Sequence, residues 1–260
     1  MNGVEYGKTS SEYVRYRVGF PQVTFDRLAS HQIGLTGQNI LDFGAGTGTL
    51  TRGFAQRGCQ VTALEPSAAH IAAARNIAEF EGLRINWVQG DPTATNMPSN
   101  YFDAVTAGQC WHLLDRPNAA REVNRVLKRG GQLAIAHFDW LNLPGSVVEA
   151  TENLIEAFNP MQPKPHIVYG GGVGIYGTWT LDVAKAGFGY LETFSFDVVV
   201  PYTPEAWRGR IRATHGVTGT MSKDQTIRFD LSLKGLLELK YADQMLEIPH
   251  RVWVLVCTKE

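Results

Sequence analysis

The sequence predicts an α/β protein: an open, doubly wound, seven-stranded sheet, mostly parallel with its last strand antiparallel, carrying a helical lid or insertion. Three observations support this. From residue 39 onward short apolar runs alternate with patterns of helical period, as in βαβ units. One run, Asn39 to Phe43, passes straight into a glycine loop and then a helix. A stretch of about forty residues with two helical patterns separates the last two runs, too long for a hairpin turn.

In chain order, the first five strands fall at Asn39 to Phe43, Gln60 to Leu64, Ile85 to Val88, Phe102 to Ala107 and Gln132 to Phe138. Between them, Thr49 to Arg57 places Leu50 and Phe54 on one face of a helix, and Pro66-Ser67 opens a second over Ala68 to Phe80. Arg116 to Lys128 aligns Ala119, Val123, Val126 and Leu127, with Gly130-Gly131 as its stop after the basic turn Lys128-Arg129. A helix at Val147 to Phe158 precedes a Pro- and Gly-rich loop, 159–177, and Thr180 to Ala186 is a helix stopped by Gly187. Leu191 to Val200 and Glu247 to Thr258 complete the sheet around the inserted helices Pro204 to Ala213 and Lys223 to Tyr241. The expected organisation is an N-terminal lid (1–37), a core (38–140), a loop with sheet completion (141–200), a helical cap (201–244) and a final core strand (245–260). Ligands of open parallel sheets bind beyond the carboxyl ends of the strands, so the N-terminal segment, the loop 141–177 and the inserted helices are expected to form one lid there.

With 24 basic and 25 acidic side chains the formal charge is -1, which leaves no global field for a phosphate backbone or an anionic membrane. No run reaches the ~18 apolar residues of a membrane span, and the N-terminus lacks a signal-peptide pattern, so a cytoplasmic enzyme is expected. Cys59, Cys110 and Cys257 are far apart and odd in number, which excludes a disulfide framework and a paired-cysteine zinc site. No metal is expected, and nothing sets an oligomeric state.

The strongest chemical signal is Leu41-Asp42-Phe43-Gly44-Ala45-Gly46-Thr47-Gly48. Glycine permits positive φ and lets ligand atoms approach backbone N–H groups at a helix amino terminus. About twenty residues on, Glu65 ends the second strand before Pro66, where a carboxylate accepts both hydroxyls of a ribose. Asp91, before Pro92, follows the third strand as a candidate N-cap. After the fourth strand come Gln109 and His112, whose imidazole suits proton acceptance near pH 7.

The run Asp-x-Gly-x-Gly-x-Gly resembles motif I of class I S-adenosylmethionine-dependent methyltransferases, which implies a Rossmann-like sheet. Gln before His after the fourth strand, an acidic residue, and a helix ending Arg-Val-Leu-Lys-x-Gly-Gly resemble the type 11 small-molecule methyltransferases, well over 10–140 and in outline beyond. The resemblance implies S-adenosyl-L-methionine as cofactor, with Gly44, Ala45 and Gly46 approaching it by backbone, Asp42 facing its amino group, Glu65-Pro66 at its ribose and Asp91 at its adenine. Tyr13, Tyr16 and Arg17 resemble the family's lid segment, which would bring Arg17 to the methionine carboxylate. His112 is the candidate catalytic residue, its alternative role being a hydrogen bond to the cofactor or the loop. The implied reaction is in-line transfer of methyl to an O, N or C nucleophile in a dry, closed site.

A dinucleotide fingerprint would place Gly or Ala where Thr49 stands, and no Tyr-x-x-x-Lys-like donor appears, which argues against an NAD-linked oxidoreductase. A non-catalytic S-adenosylmethionine-binding protein is the other alternative. Gly170-Gly171-Gly172-Val173-Gly174 lacks the strand–helix setting and reads as a flexible lid. The expected partner is a small, partly apolar molecule, with no nucleic acid and no membrane: Phe158, Tyr169, Tyr176, Trp207 and Phe229 suit an apolar pocket, beside His166, Trp179 and His215. Arg208 and Arg212 share a helix face, either to meet a substrate carboxylate or to be solvated.

Overall fold

A computed structural model of the chain describes residues 16, 18–161, 170, 172–241 and 244–260. It divides into two compact units. The first spans 19–138, 175–196 and 252–260, and the second holds the described residues of 1–18, 139–174 and 197–251.

The sheet has the order β3-β2-β1-β4-β5-β7-β6, with β1 Asn39–Phe43, β2 Gln60–Glu65, β3 Asn86–Gln89, β4 Phe102–Gly108, β5 Leu127–Trp140, β6 Phe188–Tyr202 and β7 Leu246–Lys259. Pairs β1–β2, β1–β4, β2–β3 and β4–β5 are parallel. Lys259, the last residue of β7, donates to the carbonyl of Leu127, the first of β5, at 2.8 Å, so β7 runs antiparallel to β5. The sheet is thus mostly parallel with one antiparallel strand, as expected. Central β1 is buried from Ile40 to Phe43, the near-continuous burial of a parallel strand covered on both faces.

Helices α1 Gln22–Ser30, α2 Thr49–Gln56, α3 Ala68–Phe80, α4 Arg116–Val126 and α6 Thr180–Lys185 belong to this unit. Ser67 caps α3 by accepting from the His70 N–H, and Asp115 caps α4 from the Asn118 N–H. Phe25 of α1 meets Phe54 of α2 edge-on, with ring centres 5.2 Å apart. One sequence expectation needs correction here. Gly130-Gly131 do not end α4, which stops at Val126; Leu127 already pairs with Phe102, and the next aligned pair is Gln132 with Ala104. Residues 128–131 therefore bulge out of β5, with Lys128 tied to Asp103 at 2.6 Å.

In the second unit α5 Val147–Phe158, α7 Pro204–Arg212, α8 His215–Thr218 and α9 Lys223–Tyr241 pack around Trp207 and Phe229, both fully buried. Trp207 donates its indole N–H to Thr151 at 3.0 Å, and Phe158 meets Phe229 edge-on at 5.7 Å. The buried polar atom of Trp207 thereby has its partner, as a core indole requires.

Candidate functional site

The strand order reverses between β1 and β4, and the loops that follow these two strands begin the site. Gly44, with φ 58°, sits so close to the next loop that a Cβ there would lie 2.8 Å from that of Cys110. Cys110 Sγ donates to the Phe43 carbonyl at 3.1 Å and closes the same contact. Gly48, with φ 82°, caps α2 where a side chain would strike the ring of Trp87 at 2.8 Å. These positions need glycine for reach as well as for backbone conformation.

Asp42 lies beneath the loop, 2% exposed. The register sets it opposite Thr106, whose hydroxyl donates to Oδ1 at 2.7 Å, and Thr51 in the first turn of α2 donates to Oδ2 at 2.5 Å. Both oxygens therefore tie β1, β4 and α2 together. Burial pushes its pKa up to about 6, the threonine hydrogen bonds pull it back, and the charge of Glu65 adds to the rise. A folded pKa above the unfolded value means stability fully present below about 3.8 and lost as pH climbs through about 6. Asp42→Asn is accordingly expected to remove a decline in unfolding free energy of order 2–3 kcal/mol over that window. Urea midpoints at pH 4 and pH 7 decide it: equal shifts in both proteins would show that Asp42 does not drive the decline.

Glu65, 6% exposed at the end of β2, reaches across to the glycine loop. Its Oε2 accepts from the Gly46 N–H at 2.9 Å, and Oε1 from the Ser67 N–H at 3.0 Å, with His70 Nδ1 at 3.1 Å. A carboxylate offers about four lone-pair positions, and these contacts use three of them. Its neighbour Pro66 accepts by its carbonyl from Gln89 Nε2 at 3.0 Å.

Asp91 is exposed and caps no helix: Oδ1 accepts from Thr93 N and Oγ1, both at 2.8 Å, in a turn closed by a bridge to Ala94. Gln109 takes φ 55°, an uncommon value for a residue with a side chain, held by its N–H to the Ala136 carbonyl and its side-chain amide to the Phe138 carbonyl. His112 stands in a 3-10 turn, Trp111–Leu113, its ring centre 5.4 Å from that of His137 on β5. His137, 2% exposed, in turn lies 4.3 Å from Tyr176 and 4.8 Å from Trp179, and those two rings stack at 4.2 Å.

The first unit thus joins Gly46 to Glu65 by a hydrogen bond, with Asp42 on β1, Gly44 and Ala45 in the loop that follows it and Pro66 after β2, and sets Gln109 and His112 after β4. Tyr16 belongs to the second unit, where its ring lies so close to Gly209 that a Cβ there would be 2.3 Å away. Tyr13, Arg17, His166, Tyr169 and Gly171 lie outside the described residues. Tyr176, Trp179, Trp207 and Phe229, suggested as pocket walls, are at most 2% exposed and pack as core. Sequence reasoning missed His70, Cys110 and His137. His70 stood in the first turn after Glu65 and Cys110 beside Gln109, whereas nothing local marks His137 within an apolar strand.

A mostly parallel open sheet with a glycine loop at its switch point, braced by the acid of the second strand, defines a Rossmann-like fold. Residues 41–135 match the family model described as a methyltransferase domain. The chain is similar to an uncharacterised methyltransferase of Mycobacterium tuberculosis, 30% identical over 132 residues, 51% of each chain. It is similar also to a ubiquinone/menaquinone biosynthesis C-methyltransferase of Dinoroseobacter shibae, 33% identical over 136 residues, 50% of this chain and 53% of that one. The chain spans about half the length of the curated relatives it matches. In fold it resembles a protein of Anaeromyxobacter dehalogenans described as a type II methyltransferase, with a TM-score of 0.67, 19% identity, and 93% of this chain and 97% of that one covered.

Proposed function

We propose that this chain is an S-adenosylmethionine-dependent methyltransferase that acts on an O, N or C nucleophile of a small molecule. The observation that carries the reading is the Glu65 carboxylate bonded to the Gly46 N–H, which joins the acid of β2 to the glycine loop. The cofactor, when bound, supplies a methyl group on a sulfonium. Gly44, Ala45 and Gly46 would meet its methionine part by backbone, while Glu65 accepts the ribose hydroxyls and Pro66 flanks them. Asp42 acts beneath, keeping the loop in place through Thr51 and Thr106. Asp91 offers Oδ2 to the adenine amino group while Oδ1 holds its own turn. Gln109, fixed at its positive φ, would position the methyl donor, and His112 would hold the acceptor or its proton.

A small-molecule acceptor is supported by the quinone methyltransferase among the relatives and by a net charge of -1. Calorimetry with S-adenosylmethionine, S-adenosylhomocysteine and NAD, then an acceptor screen with labelled cofactor, tests the proposal. Binding of the first two and not NAD, with label in a small product, is expected. Binding without label in any acceptor would favour a cofactor-binding protein, and salt-dependent tRNA binding with label in RNA would move the acceptor to nucleic acid. His112→Ala is expected to lower turnover about 100-fold while cofactor affinity holds, the lower end of the range for a positioned acid–base group. Unchanged turnover would remove His112 from the site.

A further inference from the structure

Helix α7 carries three arginines whose surroundings differ. Arg208 and Arg212, one turn apart, both bond Asp230 of α9 and Glu205 of their own helix; Arg208 Nε reaches Asp230 Oδ1 at 3.1 Å and Arg212 Nη1 at 2.8 Å. Their charges hold two helices together. Arg210, between them, faces the other way. Its guanidinium carbon lies 4.8 Å from the ring centre of Trp140, its side chain is hydrogen-bonded with the Tyr202 hydroxyl, and it stands in the field of Asp139.

The rest of the surroundings are aromatic and polar. Trp207 lies 5.4 Å from both Trp140 and Tyr202, and His250 stacks on Tyr202 at 6.2 Å. His250 is 4% exposed, and burial holds its pKa down at about 4, so the ring is neutral at pH 7. Nδ1 faces the Ile248 carbonyl at 2.9 Å and must carry the hydrogen, which leaves the lone pair on Nε2. Trp207, Tyr202 and His250 are buried, whereas Arg210, Trp140 and Asp139 are partly exposed.

We propose that this cluster of the second unit binds a planar organic acid, its carboxylate on Arg210, which Tyr202 orients, and its apolar body against Trp140. A guanidinium has five donors in a planar fork, Tyr202 occupies one direction, and a carboxylate meets two donors at once. Partial burial strengthens that pair because desolvation disfavours the lone cation. Asp139, and Glu152 bonded to the Trp140 indole at 3.2 Å, set the limit: a monoanion is tolerated where a dianion meets repulsion. The binding of this acid is independent of the proposed methyl transfer.

The test titrates the full chain, without cofactor, with benzoate and its neutral isostere benzamide, followed by calorimetry and tryptophan fluorescence. Benzoate is expected to bind about tenfold or more tightly than benzamide, and Arg210→Gln to abolish the difference. Tyr202→Phe, which keeps the ring, should weaken benzoate severalfold and leave benzamide alone, and serves if Arg210→Gln does not fold. Equal affinities for the two probes, no saturable benzoate binding, or full benzoate affinity in both variants would overturn the site. A parallel S-adenosylmethionine titration of the wild type reads the proposed function separately.

Discussion

Glu65→Ala is expected to weaken S-adenosylmethionine binding by about 1.5–3 kcal/mol, the scale of hydrogen bonds to a charged acceptor. Removal of the carboxylate takes away the proposed ribose acceptor, and it also leaves the N–H groups of Gly46 and Ser67 without the partner they have here. The second effect acts on the loop before any ligand arrives, so a lower thermal midpoint should accompany the loss of affinity. Glu65→Gln separates the two. Its amide keeps the volume but turns one acceptor into a donor, which then faces either the Gly46 or the Ser67 N–H. Calorimetry should therefore place Gln near Ala and not midway to wild type. An unchanged dissociation constant in folded Glu65→Ala would remove the ribose role and leave Glu65 as a loop brace.

Trp179→Ala should cost about 3–5 kcal/mol of unfolding free energy, the range for a large aromatic removed from a packed interior. Trp179 is fully buried, stacks on Tyr176 at 4.2 Å and meets Trp253 of β7 edge-on at 5.8 Å. The cavity would open directly beside His137, whose ring centre is 4.8 Å away, and His137 is what lies against His112. The loss is thus expected in two readouts: a lower urea midpoint, and a fall in turnover larger than the change in cofactor affinity. Trp179→Phe, which refills most of the space, should recover most of both. Destabilisation with wild-type turnover per folded molecule would separate this cluster from the chemistry.

The glycine loop and Glu65 could be read from sequence because a strand, a tight turn and a helix start leave local marks: apolar runs, glycines and a capping serine. The boundaries of Ala68–Phe80, Val147–Phe158 and Lys223–Tyr241 followed in the same way from 3.6-residue periodicity and cap residues. Where two local signals compete, sequence chose wrongly. Gly130-Gly131 after a basic turn looks like a helix stop, yet Leu127 gains more by pairing with Phe102, and the glycines go into a bulge.

What the sequence by itself determined is the class of sheet, the glycine loop that follows its first strand, and the acid that ends its second. Only the tertiary structure decided what Asp42 touches, since Thr106 lies 64 residues away and meets it through the register of β1 with β4. It decided equally that His112 faces His137, and that of three arginines on α7 two are held by Asp230 while Arg210 lies over Trp140. The physical reason is common to all three. Periodicity and turn chemistry act between neighbours in the chain, whereas side-chain partners are set by strand order and packing, which depend on the burial of the whole apolar surface.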